Sequence, residues 1–480
     1  MNRKTVIAFA LVGVAACAVN PVTGRNELSL VSESQEIQMG QQGKVEVQRS
    51  IGLYDDAALA AYISGLGTRV ARTTERPDLP WSFQVADQPV INAFALPGGP
   101  VFIARGLLAY FNSEAELISV LGHEMGHISA RHSAQQMTRS QLAGLGLGVA
   151  SVVDSRVARF AGVAQAGLGL MFLKYGRDAE SQADALGFRY GLNGGWDMRD
   201  GTKMFNTLSR VSGDPSQRLP EWQSSHPAPE GRAQHNDERV AAAETRGVRF
   251  DTLRVDRNGY LRRLDGLVYG EDPRQGYFET NRFYHPEMGF QLIFPDGWKT
   301  ENQPSAVVAK SSSGAMQLRL GTIRDTTVTP TQFVDSLRAH GAIVAASGHA
   351  EPFRDYPAWV GTVTAAAEGG QQNYAAGYVR IRGGQFLEVY GRGSDQVSID
   401  QVYASIRSIA ALRDPAKLNV KANRLSIKPA KSGAAFATVW AAYPHQAIGL
   451  EDAAILNGAR STTPYAPGAP VKIVPKAPRG

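Results

Sequence analysis

The run His123-Glu124-Met125-Gly126-His127 is the feature that most constrains the fold of this chain. Two histidines four residues apart lie on the same side of an α-helix, so their imidazoles can reach one metal ion if the segment is helical. The glutamate after the first histidine then lies beside the metal, where it can take a proton from a water molecule. The run therefore predicts a helix that carries a metal site, with Glu124 as its general base.

The residues on either side of the run favour a helix. Ser113 is followed three residues later by Glu116, the capping-box pattern that starts a helix. Apolar residues then recur with helical spacing, and no proline interrupts residues 113–139. On a helix that continues through this range, His132 would lie about 180° from His123. We therefore expect His132 to face away from the metal and to have no ligand role.

Gly122 and Gly126 flank the first histidine and its glutamate. Each should cost about 1 kcal/mol relative to alanine inside a helix. Small residues at these positions indicate that another element, or a substrate, comes close to the helix. The alternative is a surface helix on which two exposed histidines fall by chance.

A third protein ligand is expected, because catalytic zinc is usually held by three protein groups and a water. Glu180 and Asp184 are four residues apart, so on a helix they share a face. Glu180 can bind the metal, and Asp184 can accept the free ring N–H of a metal-binding histidine and fix its tautomer. An ordinary solvated acidic face would give the same pattern.

These motifs together resemble a known family. His-Glu-x-x-His followed about fifty residues later by Glu-x-x-x-Asp is similar to the gluzincin peptidases of the HtpX and CAAX-prenyl-protease clan. Residues 20–25, residues 92–99 and Ser225-His226-Pro227 resemble its periplasmic BepA/LoiP branch. The blocks occur in the order of that branch over roughly residues 20–245.

The resemblance implies a zinc metalloendopeptidase that holds one Zn²⁺ per chain. Its zinc ligands would be His123, His127 and Glu180, and Glu124 would be the general base. The family often has a second glutamate two residues after the third ligand, and here that position is Gln182. This departure should not remove zinc binding, because Glu180 and Asp184 are retained.

Residues 92–95 come before a Pro-Gly-Gly turn and read as the end of a strand. In metallopeptidases an extended segment beside the metal pairs with the substrate backbone. Asn92, Ala93, Phe94 and Ala95 are therefore predicted to bind substrate. A plain hairpin edge is the alternative.

His226 lies in a polar, proline-containing stretch that should be a loop. The resemblance favours a role near the metal, and three interpretations stay open. His226 could occupy the fourth zinc position and hold the enzyme inactive, it could stabilise the tetrahedral intermediate, or it could be a structural histidine. Arg232 is expected to pair with a carboxylate of the acidic helix, so Asp184, His226 and Arg232 are predicted to orient or regulate the site.

The N-terminus predicts a lipoprotein signal peptide over residues 1–16. Arg3 and Lys4 precede an apolar run that is too short to span a bilayer. The run ends at Cys17, which resembles a bacterial lipoprotein box and would be lipidated after cleavage; an ordinary signal peptide with an incidental cysteine is the alternative. Because Ala18 follows, the resemblance to Gram-negative sorting places the protein in the periplasm, anchored to the outer membrane. Cys17 is the only cysteine, which excludes an intramolecular disulfide.

We expect a multidomain chain. Residues 17–265 should form a mainly α (α+β) metallopeptidase domain of the zincin type, with the glycine- and alanine-rich stretch 142–174 as a helical hairpin or a flap. Residues 280–412 alternate strands and helices and faintly resemble the α+β PsbP/Mog-one-like sandwich. Residues 420–476 look like a degenerate LysM module. The net charge of +6 is too small to indicate nucleic-acid binding.

The resemblance implies unfolded or misassembled envelope proteins as substrates, hence a role in protein quality control. Two other functions stay open. The chain could be a protease-fold scaffold or chaperone-like adaptor for outer-membrane assembly, or a lipoprotein that binds peptidoglycan. LysM modules bind such glycans, but the Gly-Asp-Thr expected after the first strand is missing here.

Overall fold

The structure is a computed structural model that describes residues 17–145, 175–212, 226, 231–303, 306–322, 327–367, 370–381 and 385–478. The chain forms two compact units, one made of Met1–Gly270 with Asn423–Lys476 and the other of Glu271–Ala422 with Ala477–Gly480. The predicted signal peptide, residues 146–174 of the glycine-rich stretch, and the loop 224–230 apart from His226 lie outside the described residues.

The first unit begins with a β-hairpin and two helices. Strands β1 (Cys17–Val19) and β2 (Asn26–Leu28) pair antiparallel, and helices α1 (Glu33–Ser50) and α2 (Ala57–Ala71) follow. A three-stranded sheet comes next, formed by β3 (Ser82–Ala86), β4 (Ala93–Ala95) and β5 (Pro100–Ala104). Strand β5 is central, parallel to β3 and antiparallel to β4, so β4 is an edge strand.

Helices make up most of the rest of the peptidase region. They are α3 (Arg105–Tyr110), α4 (Glu114–Ser129), α5 (His132–Leu145), α6 (Arg177–Asn193), α7 (Asp200–Ser212), α8 (Arg232–Thr245) and α9 (Arg257–Arg263), with a 3-10 turn at Phe250–Thr252. None of the helices within the described ranges has the length and apolarity needed to cross a bilayer.

Helix α4 lies at the centre of this unit, and every one of its residues is buried. It starts where the sequence predicts, because the side-chain oxygen of Ser113 accepts a hydrogen bond from the backbone N–H of Glu116 at 3.1 Å. The Glu116 carboxylate bonds the N–H of Asn112 at 2.8 Å, one residue before the cap. The apolar side chains of α4 pack with those of α2 and β5 in the largest hydrophobic core.

The helix does not continue to His132, so the expectation that His132 faces away from the metal is wrong. Helix α4 ends at Ser129, and Arg131 adopts a left-handed conformation with φ of 59°. The Arg131 guanidinium is held by Glu36 of α1 at 2.5 Å and by the carbonyl of Val31 at 2.7 Å. The chain turns at this residue, and α5 begins at His132 with its ring directed back to α4.

Two glycines of α4 do allow a second helix to come close, as the sequence predicts. Helix α6 crosses α4 so closely that a Cβ added to Gly122 would lie 2.9 Å from the carbonyl oxygen of Gly187. A Cβ on Gly126 would lie 3.0 Å from the carbonyl oxygen of Ala183. This close crossing sets the distance between the histidines of α4 and the carboxylates of α6.

The second unit is α+β, as predicted. Strands β6 (Tyr277–Glu279), β7 (Arg282–His285) and β8 (Phe290–Ile293) follow a 3-10 turn at Pro273–Gln275. Then come β9 (Lys299–Gln303), β10 (Ala306–Lys310), β11 (Gly314–Thr322), α10 (Pro330–Ala339), β12 (Ala345–Pro352), β13 (Pro357–Ala367), β14 (Gly370–Arg380), β15 (Gln385–Gly393), α11 (Gln396–Arg407), β16 (Ala410–Ala411) and α12 (Pro415–Leu418).

These strands form two antiparallel sheets with the orders β16-β8-β7-β6 and β12-β13-β14-β15-β11-β10-β9. Helix α11 packs on the larger sheet within one hydrophobic core, through Val402 and Ile406. Helix α10 packs through Phe333 in a separate core that includes Trp359 and Phe386. Both helices lie among the strands of residues 280–412, which agrees with the predicted alternation of strands and helices.

The C-terminal elements return to the first unit. They are β17 (Ser426–Pro429), β18 (Ala434–Ala435), α13 (Phe436–Ala441), α14 (Leu450–Leu456), β19 (Pro464–Tyr465) and β20 (Pro470–Ile473), with β17 paired to β20 and β18 to β19. The ammonium of Lys472 is fully buried and donates to the carbonyls of Ala109 at 2.6 Å and Phe111 at 2.9 Å. These contacts join the module to the start of α4.

Candidate metal centre

Helix α4 directs both of its histidines to one point. The spacing of four residues places the rings on the same face, and the Nε2 atoms of His123 and His127 lie 3.0 Å apart. Both rings are almost completely buried. The structure therefore brings together the two histidines that the motif predicts to share a metal.

Helix α6 and His226 complete the cluster. The two carboxylate oxygens of Glu180 lie 3.4 Å from Nε2 of His123 and 3.5 Å from Nε2 of His127. Nδ1 of His226 lies 3.3 Å from Nε2 of His123 and 3.0 Å from Glu180. These four buried side chains each offer one ligand atom, and all four atoms lie within 4.8 Å of one another.

The spacing of these atoms fits a zinc ion. Ligands at about 2.0–2.1 Å from a tetrahedral zinc lie about 3.3 Å from each other, which is close to the separations found here. The Nδ1 atoms of His123 and His127 each have a hydrogen-bond partner away from the cluster, so each Nε2 can present a lone pair to it. Two lone pairs facing each other at 3.0 Å repel unless a cation lies between them. The group could therefore hold a metal ion.

Asp184 lies behind His123, one turn after Glu180. Its Oδ1 is 2.8 Å from Nδ1 of His123, and its Oδ2 accepts from Nε of Arg232 at 2.8 Å. Burial alone would raise the pKa of Asp184, but Arg232 and His123 outweigh it and hold that pKa well below its usual range. Asp184 is thus a carboxylate that orients His123, and Arg232 neutralises it.

The same neighbours affect His123 and Glu180. Burial lowers the pKa of His123, but its contacts with Asp184 and Glu180 outweigh that effect and raise the pKa to about 9. Burial raises the pKa of Glu180, yet its contacts with His123 and His226 bring it down to about 2. Glu180 is therefore ionised, as a metal ligand must be.

His127 has a different set of neighbours. Its Nδ1 lies 2.9 Å from Nδ1 of His132, and its ring stacks on Tyr175 with centroids 4.0 Å apart. The Tyr175 hydroxyl is 2.9 Å from the hydroxyl of Ser133, at the start of α5. Burial and the nearby cationic groups lower the pKa of His127 well below its usual value, so its ring is neutral.

Glu124 lies beside the cluster. It is fully buried, and neither of its carboxylate oxygens has a hydrogen-bond partner among the described residues. One of these oxygens is 3.5 Å from Nε2 of His226. A buried carboxylate without hydrogen bonds is costly, so a position like this indicates a group that meets water or substrate during a reaction.

The residues predicted to bind substrate lie on and beside β4. Asn92 precedes the strand, and its carbonyl accepts from the N–H of Ala104 at 2.9 Å. Ala93, Phe94 and Ala95 pair with β5 on one side only, and helix α4 packs against the strand. The strand prediction is confirmed, while a substrate on its outer edge stays a prediction.

Two residues at this site escaped the sequence analysis. His132 was placed on the wrong face, because nothing in the sequence marks the left-handed turn at Arg131. Tyr175 precedes α6 with no motif of its own. The signal in the sequence that could have indicated a role for His132 is its short spacing of five residues from His127.

Helix α4 carries two histidines that face one point and a buried glutamate beside them. Helix α6 crosses it and adds the carboxylate of Glu180 to the cluster. This arrangement is typical of a metallopeptidase domain of the zincin type. The comparisons with known proteins point to a similar class. Residues 57–240 match Peptidase family M48. This match confirms the resemblance predicted from the motifs.

The relatives cover part of the chain. The beta-barrel assembly-enhancing protease of Escherichia coli K12 is 30% identical over 246 residues, 48% of this chain and 50% of that one. The mitochondrial metalloendopeptidase OMA1 of Arabidopsis thaliana is 30% identical over 164 residues, 33% of this chain and 31% of that one. The chain thus spans between about a third and a half of the length of these relatives.

A solution structure of cyanobacterial PsbP from Synechocystis aligns with a TM-score of 0.21 and 12% identity, covering 27% of this chain and 91% of that one. A score this low carries no argument. The PsbP-like and LysM-like assignments of residues 280–412 and 420–476 stay predictions.

Proposed function

We propose that this protein is a zinc-dependent metalloendopeptidase. The observation that carries the proposal is the pair of Nε2 atoms of His123 and His127, which face each other at 3.0 Å with Glu180 opposite and Glu124 beside them. A purely structural site would have no need of a buried carboxylate without hydrogen bonds next to the metal ligands.

The metal ligands and Glu124 have different roles in the proposed reaction. Zinc, when bound by His123, His127 and Glu180, would polarise the scissile carbonyl and lower the pKa of a nearby water to about 7. Glu124 takes the proton of the attacking water and passes it to the leaving amine.

Asp184 and Arg232 orient the metal ligand His123 and balance the charge behind it. Asp184 accepts the Nδ1–H of His123 and so holds the tautomer whose Nε2 faces the metal. Arg232 compensates the charge of Asp184, which would otherwise be costly in a buried place.

His226 blocks the access of water and substrate to the metal site in this structure. With Nδ1 in the fourth ligand position and Nε2 near Glu124, it occupies the space that a water and a substrate carbonyl need. We infer that His226 leaves this position before catalysis, and that its presence there holds the enzyme inactive. In the open form the ring could instead donate to the tetrahedral intermediate.

Substrate would bind in an extended conformation along β4. The outer edge of β4 has no partner strand within the described residues, so a peptide can add to it by backbone hydrogen bonds. Asn92, Ala93, Phe94 and Ala95 would then contact the substrate backbone.

The cellular setting is proposed on the resemblance. The chain would be a periplasmic lipoprotein, attached through Cys17 to the outer membrane of a Gram-negative bacterium, and would degrade unfolded or misassembled envelope proteins. The relative in E. coli is named a beta-barrel assembly-enhancing protease, which supports a substrate class of that kind. The C-terminal module would add affinity for peptidoglycan.

A second function is favoured by the position of His226. A site whose fourth ligand position is filled by the chain itself could belong to a scaffold or chaperone-like adaptor for outer-membrane assembly, in which proteolysis stays silent. The two functions differ in what happens when His226 is removed.

The test compares zinc content and casein hydrolysis in wild type, Glu124→Gln and His226→Ala, each lacking residues 1–17. Hydrolysis that disappears in Glu124→Gln while zinc stays near one per chain supports the peptidase. Hydrolysis that appears only in His226→Ala identifies His226 as the residue that holds the enzyme inactive. One zinc with no hydrolysis in any form favours the scaffold, and a wild type that binds no zinc refutes the metal site.

A further inference from the structure

His127 can bind the metal in one tautomer only. Its Nε2 faces the cluster, 3.0 Å from Nε2 of His123 and 3.5 Å from Glu180, so this atom must carry a lone pair. A neutral imidazole then carries its hydrogen on Nδ1. That hydrogen needs an acceptor, and the group within reach is Nδ1 of His132, at 2.9 Å.

His132 can accept this hydrogen only if its own proton is on Nε2. Nε2 of His132 lies 2.9 Å from Oε1 of Gln182 on α6. A carbonyl-type oxygen accepts hydrogen bonds and cannot donate them, so it selects the tautomer of His132 that has a free lone pair on Nδ1. The three side chains thus form one directed chain of hydrogen bonds, from His127 through His132 to Gln182.

We propose that His132 is the positioning residue for the metal ligand His127, and that Gln182 fixes the tautomer of His132. The inference rests on the proposed metallopeptidase function and adds to it the residues that orient the second histidine. The backbone supports this role, because the left-handed turn at Arg131 is what returns the ring of His132 to α4.

The two histidine ligands are therefore held in different ways. His123 donates to the carboxylate of Asp184, whereas His127 donates to a neutral imidazole. The outer partners of metal-binding histidines usually change metal affinity by about 10- to 100-fold when they are removed. The arrangement also accounts for the departure at Gln182 from the family motif, since a glutamine oxygen can fill the acceptor role of the glutamate that the motif often has there.

The test measures the zinc dissociation constant by competition with a chromophoric chelator. His132→Leu removes the acceptor with little change in size, and His132→Asn keeps an acceptor oxygen where Nδ1 was. Gln182→Met removes the second acceptor, and Gln182→Glu keeps one. Gln234→Met, at an exposed glutamine of α8, is the matched control for the glutamine substitution.

We expect His132→Leu to weaken zinc binding about 10- to 100-fold, and Gln182→Met to weaken it by a smaller factor. His132→Asn, Gln182→Glu and Gln234→Met should stay within about twofold of wild type. The visible spectrum of bound cobalt(II), which reports ligand geometry, should change in His132→Leu and stay unchanged in His132→Asn. A merely structural role for His132 would not make the two variants differ in this way.

The double variant His132→Leu/Gln182→Met tests whether Gln182 acts through His132. The double variant should bind zinc no more than about twofold more weakly than His132→Leu alone, because its second change acts on a chain that is already broken. Additive losses would overturn the proposal, and so would wild-type affinity in His132→Leu or equal weakening in His132→Leu and His132→Asn.

Two further results distinguish a failure of this proposal from a failure of the proposed metallopeptidase function. A wild type that binds no zinc overturns the proposed function and this inference together, whereas normal zinc binding in every variant overturns the inference alone. If His132→Leu fails to fold in the metal-free state, the pair Gln182→Met and Gln182→Glu decides at a partly exposed position.

Discussion

A methyl group added at Gly187 should force apart the two helices that form the metal site. Gly187 lies on α6 where it crosses α4, and a Cβ built there would lie 2.7 Å from the backbone nitrogen of His123. The next nearest atoms are the carbonyl carbon of Gly122 at 3.0 Å and Cα of His123 at 3.1 Å. All three are backbone atoms, so no side chain can rotate away from the new methyl group.

The magnitude follows from this contact. Carbon atoms pack at about 3.5–4.0 Å, so the helices must separate by nearly 1 Å. Overpacking of this kind costs about 1–3 kcal/mol, and the backbone contact favours the upper end. Alanine gains about 1 kcal/mol over glycine inside a helix, which leaves a net loss of about 2 kcal/mol. For a unit of this size, with an unfolding entropy of about 2.1 cal/mol/K per residue, the melting temperature should fall by about 3 °C.

Thermal unfolding of the metal-free protein tests this value, and zinc competition tests the second consequence. Because metal–ligand distances tolerate only about 0.2 Å, separating Glu180 from His123 should also weaken zinc binding. The matched control is Gly65→Ala on α2, where an added Cβ meets no atom within 4 Å. This variant should gain up to about 1 kcal/mol. A Gly187→Ala protein as stable as the control, with unchanged zinc affinity, would refute the reasoning.

Other predictions concern the metal ligands and their partners. Asp184→Asn should weaken zinc binding about 10- to 100-fold, because the neutral amide that replaces the carboxylate cannot act as a charged acceptor for His123; chelator competition measures this. Zinc at a thousand times its dissociation constant should add about 4 kcal/mol to the stability of wild type, measured as a difference in unfolding free energy with and without chelator. Glu180→Ala should lose most of that gain, and an equal gain in this variant would exclude Glu180 as a ligand.

The sequence predicts best those parts of the site that one helix determines. His123, Glu124 and His127 follow from the period of an α-helix, and the capping signal at Ser113 places the start of that helix correctly. The glycines at positions 122 and 126 even indicate that another element crosses here. Each of these inferences depends on residues close together in the chain.

What the sequence could not show depends on where the chain turns and on contacts between helices. Arg131 takes a left-handed conformation that usually favours glycine, and it does so because Glu36 and the carbonyl of Val31 hold its side chain. This contact joins residues far apart in the chain, so the local sequence predicts a continuous helix on which His132 faces away from the metal site. Tyr175 was missed for the same reason, since its stacking on His127 depends on the packing of α6.

The C-terminal module should not behave as a domain that can be deleted cleanly. Leu425, Leu456 and Val474 belong to the same hydrophobic core as the peptidase helices. The ammonium of Lys472 binds the carbonyls of Ala109 and Phe111, which lie just before the cap of α4 and need a donor. Removing residues 423–476 to test peptidoglycan binding would therefore also disturb the helix that carries the metal ligands.

A single substitution measures this dependence. Lys472→Met should leave two buried carbonyl oxygens without a donor, and each such loss costs about 1–3 kcal/mol, so we expect a total of about 2–6 kcal/mol in thermal unfolding. Lys428→Met is the matched control, because Lys428 lies on the paired strand β17 and is exposed. Equal stability of the two variants would mean that the module is independent of the peptidase helices. The expected difference would instead require any test of glycan binding to use substitutions on the exposed surface of the module, since only these leave α4 and its metal ligands intact.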